Sequence, residues 1–239
     1  MGDRYERHRT MMGTDAWAAI EETTAIVAGV GGLGSSVTML LARIGPLRLE
    51  LWDPGVVDAP DLNRQLLYTA DDVGRKKVEL AEAALCRINA EITVQAICKP
   101  ISLEEFADRR QGATPGTRLA IFDCLDNISG RRELEAIATE YNLPIFHGGV
   151  ARWYGQVATL LPGATRYVDF YGDSWNADRE PAKPIMPFVV GTIASAMVGE
   201  FVHWLANPEA TPLSSGVAYF DGKQMEWQRV STGGRVREE

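Results

Sequence analysis

The sequence predicts an α/β fold: a doubly wound, Rossmann-like, mostly parallel sheet with a mixed or antiparallel extension at its C-terminal end. Three observations predict it. Apolar strand runs alternate with helix-patterned segments from residue 24 to residue 150. The first of these runs breaks into glycines, "GVGGLGSS", and resumes with helix spacing. Past Gly149 the alternation stops, and the last two strand-like segments meet across Gly222 and Lys223. With 239 residues, 46% of them hydrophobic, the chain can bury one good core and needs no second domain. A single nucleotide-binding domain is therefore expected over 1–239. Its parts are an N-terminal arm and helix (1–23), a Rossmann-like core (24–150), and a crossing loop, long helix and terminal strands (151–239).

Taken in order, "TDAWAAIEE" reads as a short helix capped by Thr14 or Asp15, and Ala25 to Val30 as a buried strand. "LGSSVTMLLARIG" is the following helix, and "LRLELWD" is a strand ending in Asp53. "GRKKVELAEAALCRIN" sets Val78, Ala81, Leu85 and Ile88 on one helical face, with Asn89 as its stop. Strand "ITVQAI", helix "SLEEFADRR", strand "RLAIFD", helix "GRRELEAIATEYN" and strand "LPIFHGG" complete the βαβ series. Ligands of such sheets sit outside the C-terminal strand ends, where Gly31, Asp53, Asp123 and His147 fall. After "WYGQVATLLPG" comes a stretch with no steady apolar period, "ATRYVDFYGDSWNADREPAKPIMP", and a loop of that length is usually functional or mobile. The long helix "FVVGTIASAMVGEFVHWLA" then aligns Val189, Ile193, Met197, Phe201 and Leu205, and "GVAYFD" and "QMEWQRV" form a hairpin.

Composition narrows the function. A net charge of −8, from 32 acidic and 24 basic residues, predicts no general attraction to nucleic acid or to an anionic membrane. Cys86, Cys98 and Cys124 form no C-x-x-C pair, which argues against a disulfide framework or a cysteine zinc site. The start "MGDRYERHRT" is charged where a signal peptide would be apolar, and no run approaches 18 apolar residues. A cytoplasmic protein is expected.

The glycine loop taken alone favours NAD over ATP, because Asp53 follows at the spacing of a ribose-binding acid. That acid does not discriminate, since the ribose of ATP offers the same hydroxyls. Arg64 and Lys77 do discriminate. Hydride transfer has no evident need for them, whereas ATP cleavage develops charge on leaving pyrophosphate that fixed Arg and Lys donors stabilise. On charge alone, each reads equally well as a solvated surface residue.

Six ordered stretches, "RYERH", "GVGGLGS", "LELWD", "DLNRQ", "VGRKKVE" and "DCLDN", resemble the ThiF and MoeB adenylyltransferases, which are similar to ubiquitin-activating enzymes. The resemblance covers residues 4–160, with weaker fits at "YGQVATLLPG" and "VVGTIASAMVGEF". It implies that a carboxylate attacks the α-phosphate of ATP, giving an acyl-adenylate and pyrophosphate. It implies a nucleotide site built from Gly29, Gly31, Gly32, Leu33, Gly34, Asp53, Asp61, Asn63, Arg64, Lys77, Asp126 and Asn127. Arg64 and Lys77 would hold phosphates and Asp126 magnesium, a hard cation that suits carboxylate and phosphate oxygen. Arg7 would reach the phosphates of a neighbouring subunit, which implies a homodimer with two composite sites. The acceptor would be the C-terminal glycine of a ubiquitin-like sulfur carrier, or else a small-molecule carboxylate such as a pyridinol-type cofactor precursor.

The chain departs from the family pattern at Asp61, where relatives often carry Asn, and at Gly55, where they often carry an acid. An added negative charge at Asp61 implies either a different metal arrangement or weakened catalysis. An NAD-dependent oxidoreductase and a catalytically disabled nucleotide-binding scaffold therefore stay open as alternatives. Residues 162–187 hold no cysteine, so a catalytic thioester on this loop is not expected. Cys124, two residues before Asp126, reads as a small buried thiol, with a reactive site thiol as the alternative; Asp123 reads as a structural acid, His147 as a hydrogen-bonded structural residue and His203 as packing. Arg131 is read equally well as a site residue or as a helix-surface pair. The loop aromatics Tyr167, Phe170, Tyr171 and Trp175 either clamp a substrate or seal the sheet.

Overall fold

The structure, a computed structural model, describes residues 3–45, 47–111, 117–172 and 184–231. The elements are α1 (Glu6–Met12), α2 (Thr14–Glu21), β1 (Thr23–Ala28), α3 (Gly32–Ile44), β2 (Arg48–Trp52), α4 (Lys77–Ile88), β3 (Thr93–Ile97), α5 (Leu103–Arg110) and β4 (Arg118–Asp123). They continue as α6 (Ile128–Tyr141), β5 (Ile145–Ala151), β6 (Tyr154–Leu160), α7 (Val168–Tyr171), α8 (Pro187–Ala206), β7 (Gly216–Asp221) and β8 (Glu226–Ser231). One sheet of eight strands has the order β3-β2-β1-β4-β5-β6-β7-β8. Pairings from β3 across to β5 are parallel, and β6, β7 and β8 add antiparallel.

β1 lies at the centre with both faces covered, which is why its residues are all buried and show no alternation. Its flanking layers form two cores. On one face Ile20, Val37, Leu41, Leu85, Ile193 and Phe201 pack from α2, α3, α4 and α8. On the other, Phe106, Leu134 and Ile137 pack from α5 and α6, joined by Tyr167. By length and composition α8 could cross a bilayer, which corrects the reading that no stretch comes close. It is instead a core helix: Val189, Ile193, Met197, Phe201 and Leu205 are all buried, against α3, β5 and β6. Side chains at Gly148 or Gly155 would overlap Met197 and Ile193, so these glycines let α8 lie close on the sheet.

Three local readings need correction. α1 is an additional helix, and it buries none of its own residues, so it carries no apolar period to read. It is held from outside its length: Tyr5 packs on Trp17 with ring centroids 5.1 Å apart and accepts a 2.8 Å hydrogen bond from Asn89 Nδ2. α2 begins at Thr14 with Gly13 at its cap position, so neither Thr14 nor Asp15 caps it. The β7–β8 connection is four residues long, Gly222 to Met225, because the Asp221 carboxylate accepts from the N–H groups of Lys223 (2.8 Å) and Gln224 (3.3 Å) and holds the chain in a wider turn.

Candidate active site

A cleft of about 1500 Å³ opens at the C-terminal ends of the parallel strands, over the point where β1 and β4 lie side by side and the chain leaves in opposite directions. β1 ends at Ala28, and Gly29 turns away with φ 86° while its N–H donates to Trp52 O at 2.8 Å. A Cβ here would lie 2.9 Å from the Cys124 carbonyl oxygen as well as forcing a left-handed side chain. At Gly34, in the first turn of α3, a Cβ would overlap the Gly29 carbonyl. The turn is thus closed on itself, and the N-terminus of the 13-residue α3 faces the cleft with its unpaired N–H groups.

Asp53, just past β2, ties this loop to its neighbour. Its Oδ2 accepts from the Val30 N–H at 2.9 Å and its Oδ1 from the Gly55 N–H at 2.7 Å. Next along the chain, a 3-10 turn over Ala59–Asn63 delivers Asp61 and Arg64 to the cleft, and Lys77 arrives as the first residue of α4. Lys77 Nζ lies 3.0 Å from Asp61 Oδ2, and Arg64 Nη2 lies 3.4 Å from Asp61 Oδ1. Asp61 therefore adds no unbalanced charge: it bridges the two cations. The Arg64 guanidinium is also held through Nη1 by Pro60 O and Asn63 Oδ1, both at 3.0 Å.

Beyond β4, Asp126 presents an exposed carboxylate to the cleft, and Asn127 caps α6 by accepting from the Gly130 N–H at 2.8 Å. Asp123 behaves differently. Fully buried, it accepts four hydrogen bonds: Leu125 N–H at 3.1 Å on Oδ1, and His147 Nδ1 at 2.6 Å, Tyr167 OH at 2.8 Å and Arg131 Nε at 3.1 Å on Oδ2. Burial alone would raise its pKa, but the Arg131 charge and the hydrogen bonds from His147 and Tyr167 outweigh burial and hold it down at about 2. Burial lowers His147 from its ordinary value, partly opposed by Asp123, so the imidazole is neutral at pH 7. Burial beside Asp123 pushes the Cys124 thiol well up, which keeps it protonated.

Of the residues expected at a nucleotide site, Gly29, Gly31, Gly32, Leu33, Asp53, Asp61, Arg64, Lys77, Asp126 and Asn127 line this one cleft. Gly34 stands behind the loop and shapes it. Asn63 is exposed and steadies Arg64 without lining the cleft. Arg7 is exposed on α1, also outside the lining. Arg131 is a buried partner of Asp123, which replaces the helix-surface reading, and His203 is exposed on the last turn of α8, which replaces packing. Trp175 lies outside the described residues. The other aromatics divide: Tyr167 seals the interior through Asp123, Phe170 packs against the His147 ring at 5.3 Å, and Tyr171 lines the cleft.

Two buried polar atoms among cleft-lining residues, Trp52 Nε1 and Gln65 Oε1, have no hydrogen-bond partner among the described residues. Neither was singled out from sequence, since Trp52 reads as a strand apolar residue and Gln65 only as part of "DLNRQ". One is an N–H donor and the other a carbonyl acceptor, so a hydrogen-bond demand of each kind is left beside the cleft.

The ThiF family model matches residues 5–238 of this chain. The chain belongs to the ThiF family. Among its relatives is the molybdopterin-synthase adenylyltransferase of Salmonella typhimurium strain LT2, 30% identical over 234 residues that cover 95% of this chain and 91% of that one. The sulfur carrier protein ThiS adenylyltransferase of Escherichia coli strain K12 is 26% identical over 235 residues, covering 95% and 90%. The same fold occurs in the structure of E. coli MccB with ATP, with a TM-score of 0.77 and 19% identity, over 100% of this chain and 73% of that one.

Proposed function

We propose that this ThiF-family chain is an ATP-dependent adenylyltransferase that activates a carboxylate as an acyl-adenylate, with the C-terminal glycine of a ubiquitin-like sulfur carrier as its acceptor. The observation that carries the reading is the convergence of Arg64 and Lys77 on one cleft with the glycine loop, Asp53 and Asp126. An acceptor carboxylate is already ionised at neutral pH, so its attack on the α-phosphate needs no general base. Charge appears instead on the departing pyrophosphate, where two fixed cations and the α3 N-terminus stabilise it. Asp126, with exposed carboxylate oxygens, is the residue suited to hold magnesium, which when bound neutralises phosphate charge. The cleft exceeds the roughly 300–1,000 Å³ of ordinary ligand pockets, which leaves room for an acceptor beside the nucleotide.

Support for a protein acceptor comes from the relatives that act on sulfur carriers. A small-molecule carboxylate is the competing acceptor, and the exchange of labelled pyrophosphate into ATP decides between them. Exchange should require a peptide or carrier ending in Gly-Gly; exchange supported only by small acids moves the assignment to those, and tight NAD binding without ATP binding removes it altogether. We also assign the protein to the cytoplasm and to a homodimer in which the partner's Arg7 completes each site, consistent with its exposure away from its own cleft. Mixing Arg7→Ala and Arg64→Ala chains tests this: neither homodimer should act, while random mixed dimers regain about one quarter of the wild-type rate.

A further inference from the structure

The cleft runs two ways from the α3 N-terminus. Toward β5 and β6 it is walled by Gln156 and Tyr171; toward β2 and α6 it passes Asp53 and reaches Ser102 and Glu133. We propose that Glu133, with Ser102 beside it, reads the amino edge of the adenine ring and so selects ATP over a 6-oxopurine triphosphate. The proposal rests on the adenylation reading and adds the residue that chooses the nucleotide.

Two fixed points orient the nucleotide. The closed glycine turn leaves room for phosphates at the α3 N-terminus, where a side chain at Gly29 or Gly34 would meet backbone. Asp53 comes next, just past β2, and each of its oxygens holds one backbone N–H with a lone pair to spare for a ribose hydroxyl. A base carried on that ribose lies in the end of the cleft beyond Asp53, between the chain entering α5 and the first two turns of α6. Ile101 and Leu125 line that end, and their apolar side chains suit the faces of a ring.

Most polar side chains there are already engaged. Asn127 caps α6 and receives the Ser129 hydroxyl, Arg131 holds Asp123 and the Leu125 carbonyl, and Trp52 Nε1 is closed off from the cleft. Glu133 is anchored by one oxygen only: Oε2 accepts the N–H of Leu103, the first residue of α5, at 2.9 Å. Its Oε1 has no partner among the described residues and is open to solvent. Ser102, the cap of α5, accepts from the Glu105 N–H at 3.3 Å, and its own hydroxyl hydrogen has no acceptor among the described residues. A free acceptor next to a free donor complements adenine, whose 6-amino group donates and whose adjacent ring nitrogen accepts. A 6-oxopurine sets O6, an acceptor, against the carboxylate. Bringing its N1–H there instead shifts the ring along its edge while Asp53 and the glycine turn hold the rest of the nucleotide. Two-pronged capture of guanine through N1–H and the 2-amino group needs both carboxylate oxygens, and Leu103 occupies one of them.

Calorimetric titration of wild type and Glu133→Gln with magnesium ATP and magnesium inosine triphosphate is the test, since inosine carries O6 where adenosine carries the amino group. Wild type should bind ATP about 100-fold tighter, because the inosine nucleotide loses a hydrogen bond to a charged group and leaves two acceptors facing each other. In Glu133→Gln the amide oxygen keeps the Leu103 N–H, since the amide nitrogen would meet that donor with a second donor, and so the NH2 group turns to the base. ATP should then weaken about tenfold and inosine triphosphate tighten about tenfold, bringing the two level. A thermal scan should place Tm within about 2 °C of wild type. Equal or reversed affinities in wild type, a measurement that needs no variant, overturn the assignment, as does an unchanged ratio in folded Glu133→Gln. A wild type that binds neither nucleotide, or binds NAD in their place, overturns the adenylation reading and the assignment with it.

Discussion

Replacing Asp61 by Asn should tighten ATP binding. In the structure Asp61 occupies both phosphate-facing cations, at 3.0 Å from Lys77 and 3.4 Å from Arg64. A triphosphate must take those cations over and then sit beside the displaced carboxylate. At an effective dielectric of about 20, a unit charge about 4 Å from one phosphate charge costs about 4 kcal/mol before screening. Solvent, salt and magnesium remove most of that, leaving about 1.4 kcal/mol, which is about tenfold in Kd. Asp61→Asn also gives up both ion pairs, worth about 1 kcal/mol of stability in such partly exposed positions. For a chain of this size that lowers Tm by about 2–4 °C. Calorimetric titration with ATP and magnesium, alongside a thermal scan, measures both. Tighter binding with lower Tm is the expected pair. Unchanged or weaker ATP binding would refute the placeholder argument, and weaker binding only in the presence of magnesium would make Asp61 a metal ligand.

Other expectations follow from the same geometry. Gly34→Ala should abolish nucleotide binding and lower Tm markedly, because the new Cβ meets backbone at Gly29; Gly31→Ala, whose Cβ would find only the Gln65 side chain at 3.7 Å, should leave Tm within about 2 °C of wild type, as read by thermal scans. Arg64→Ala and Lys77→Ala should each slow pyrophosphate exchange by about 10²–10³ with the fold intact by circular dichroism. Stability should fall with acid in two windows. His147, lowered in the fold, binds protons more readily when unfolded, so its contribution is complete above pH 6.5 and is lost as pH drops below that. Asp123, held at about 2 against an ordinary 3.8, adds about 2 kcal/mol that disappears between those values, and urea midpoints across pH 7 to 2 test both.

The parallel core was legible because its strands and helices bury residues in patterns with a period. β1 is an unbroken apolar run and α8 repeats every four residues from Val189, and both lie where the sequence places them within two residues. What went unread has no period. α1 is held by Tyr5 and Asn89, 84 residues apart, and the β7–β8 turn is widened by one aspartate. The nucleotide half of the cleft was legible for a second reason: its residues fall at strand ends in chain order, so local pattern stands in for position. The opposite wall draws on β4, β5, β6, α6 and α7 at once. His147, Gln156 and Tyr171 carry no shared local signal, and only the sheet register that sets Asp123 beside His147, and His147 one strand from Gln156, brings them together.

Gly55 and Asp61, read singly, look like damage to the site; read together they put one acid beside Lys77, from position 61 rather than position 55. A Cβ on Gly55 would point at the Lys77 stem, 3.7 Å from Cδ and 3.8 Å from Cε, so an acid there would lie beside the lysine that Asp61 now reaches from the 3-10 turn. The charge around Lys77 is then the same in either arrangement, which removes the ground for a disabled scaffold. A double-mutant cycle separates relocation from loss. Gly55→Asp alone puts a second acid beside Asp53, whose Oδ1 lies 2.9 Å from the new Cβ, and should weaken ATP binding by about tenfold. Adding Asp61→Asn to it should return affinity to about the wild-type value, since one acid again faces Lys77. A double variant that stays about tenfold weaker than wild type would mean that an acid at 55 does not stand in for the acid at 61. The scaffold reading would then stand or fall on pyrophosphate exchange by the wild-type chain.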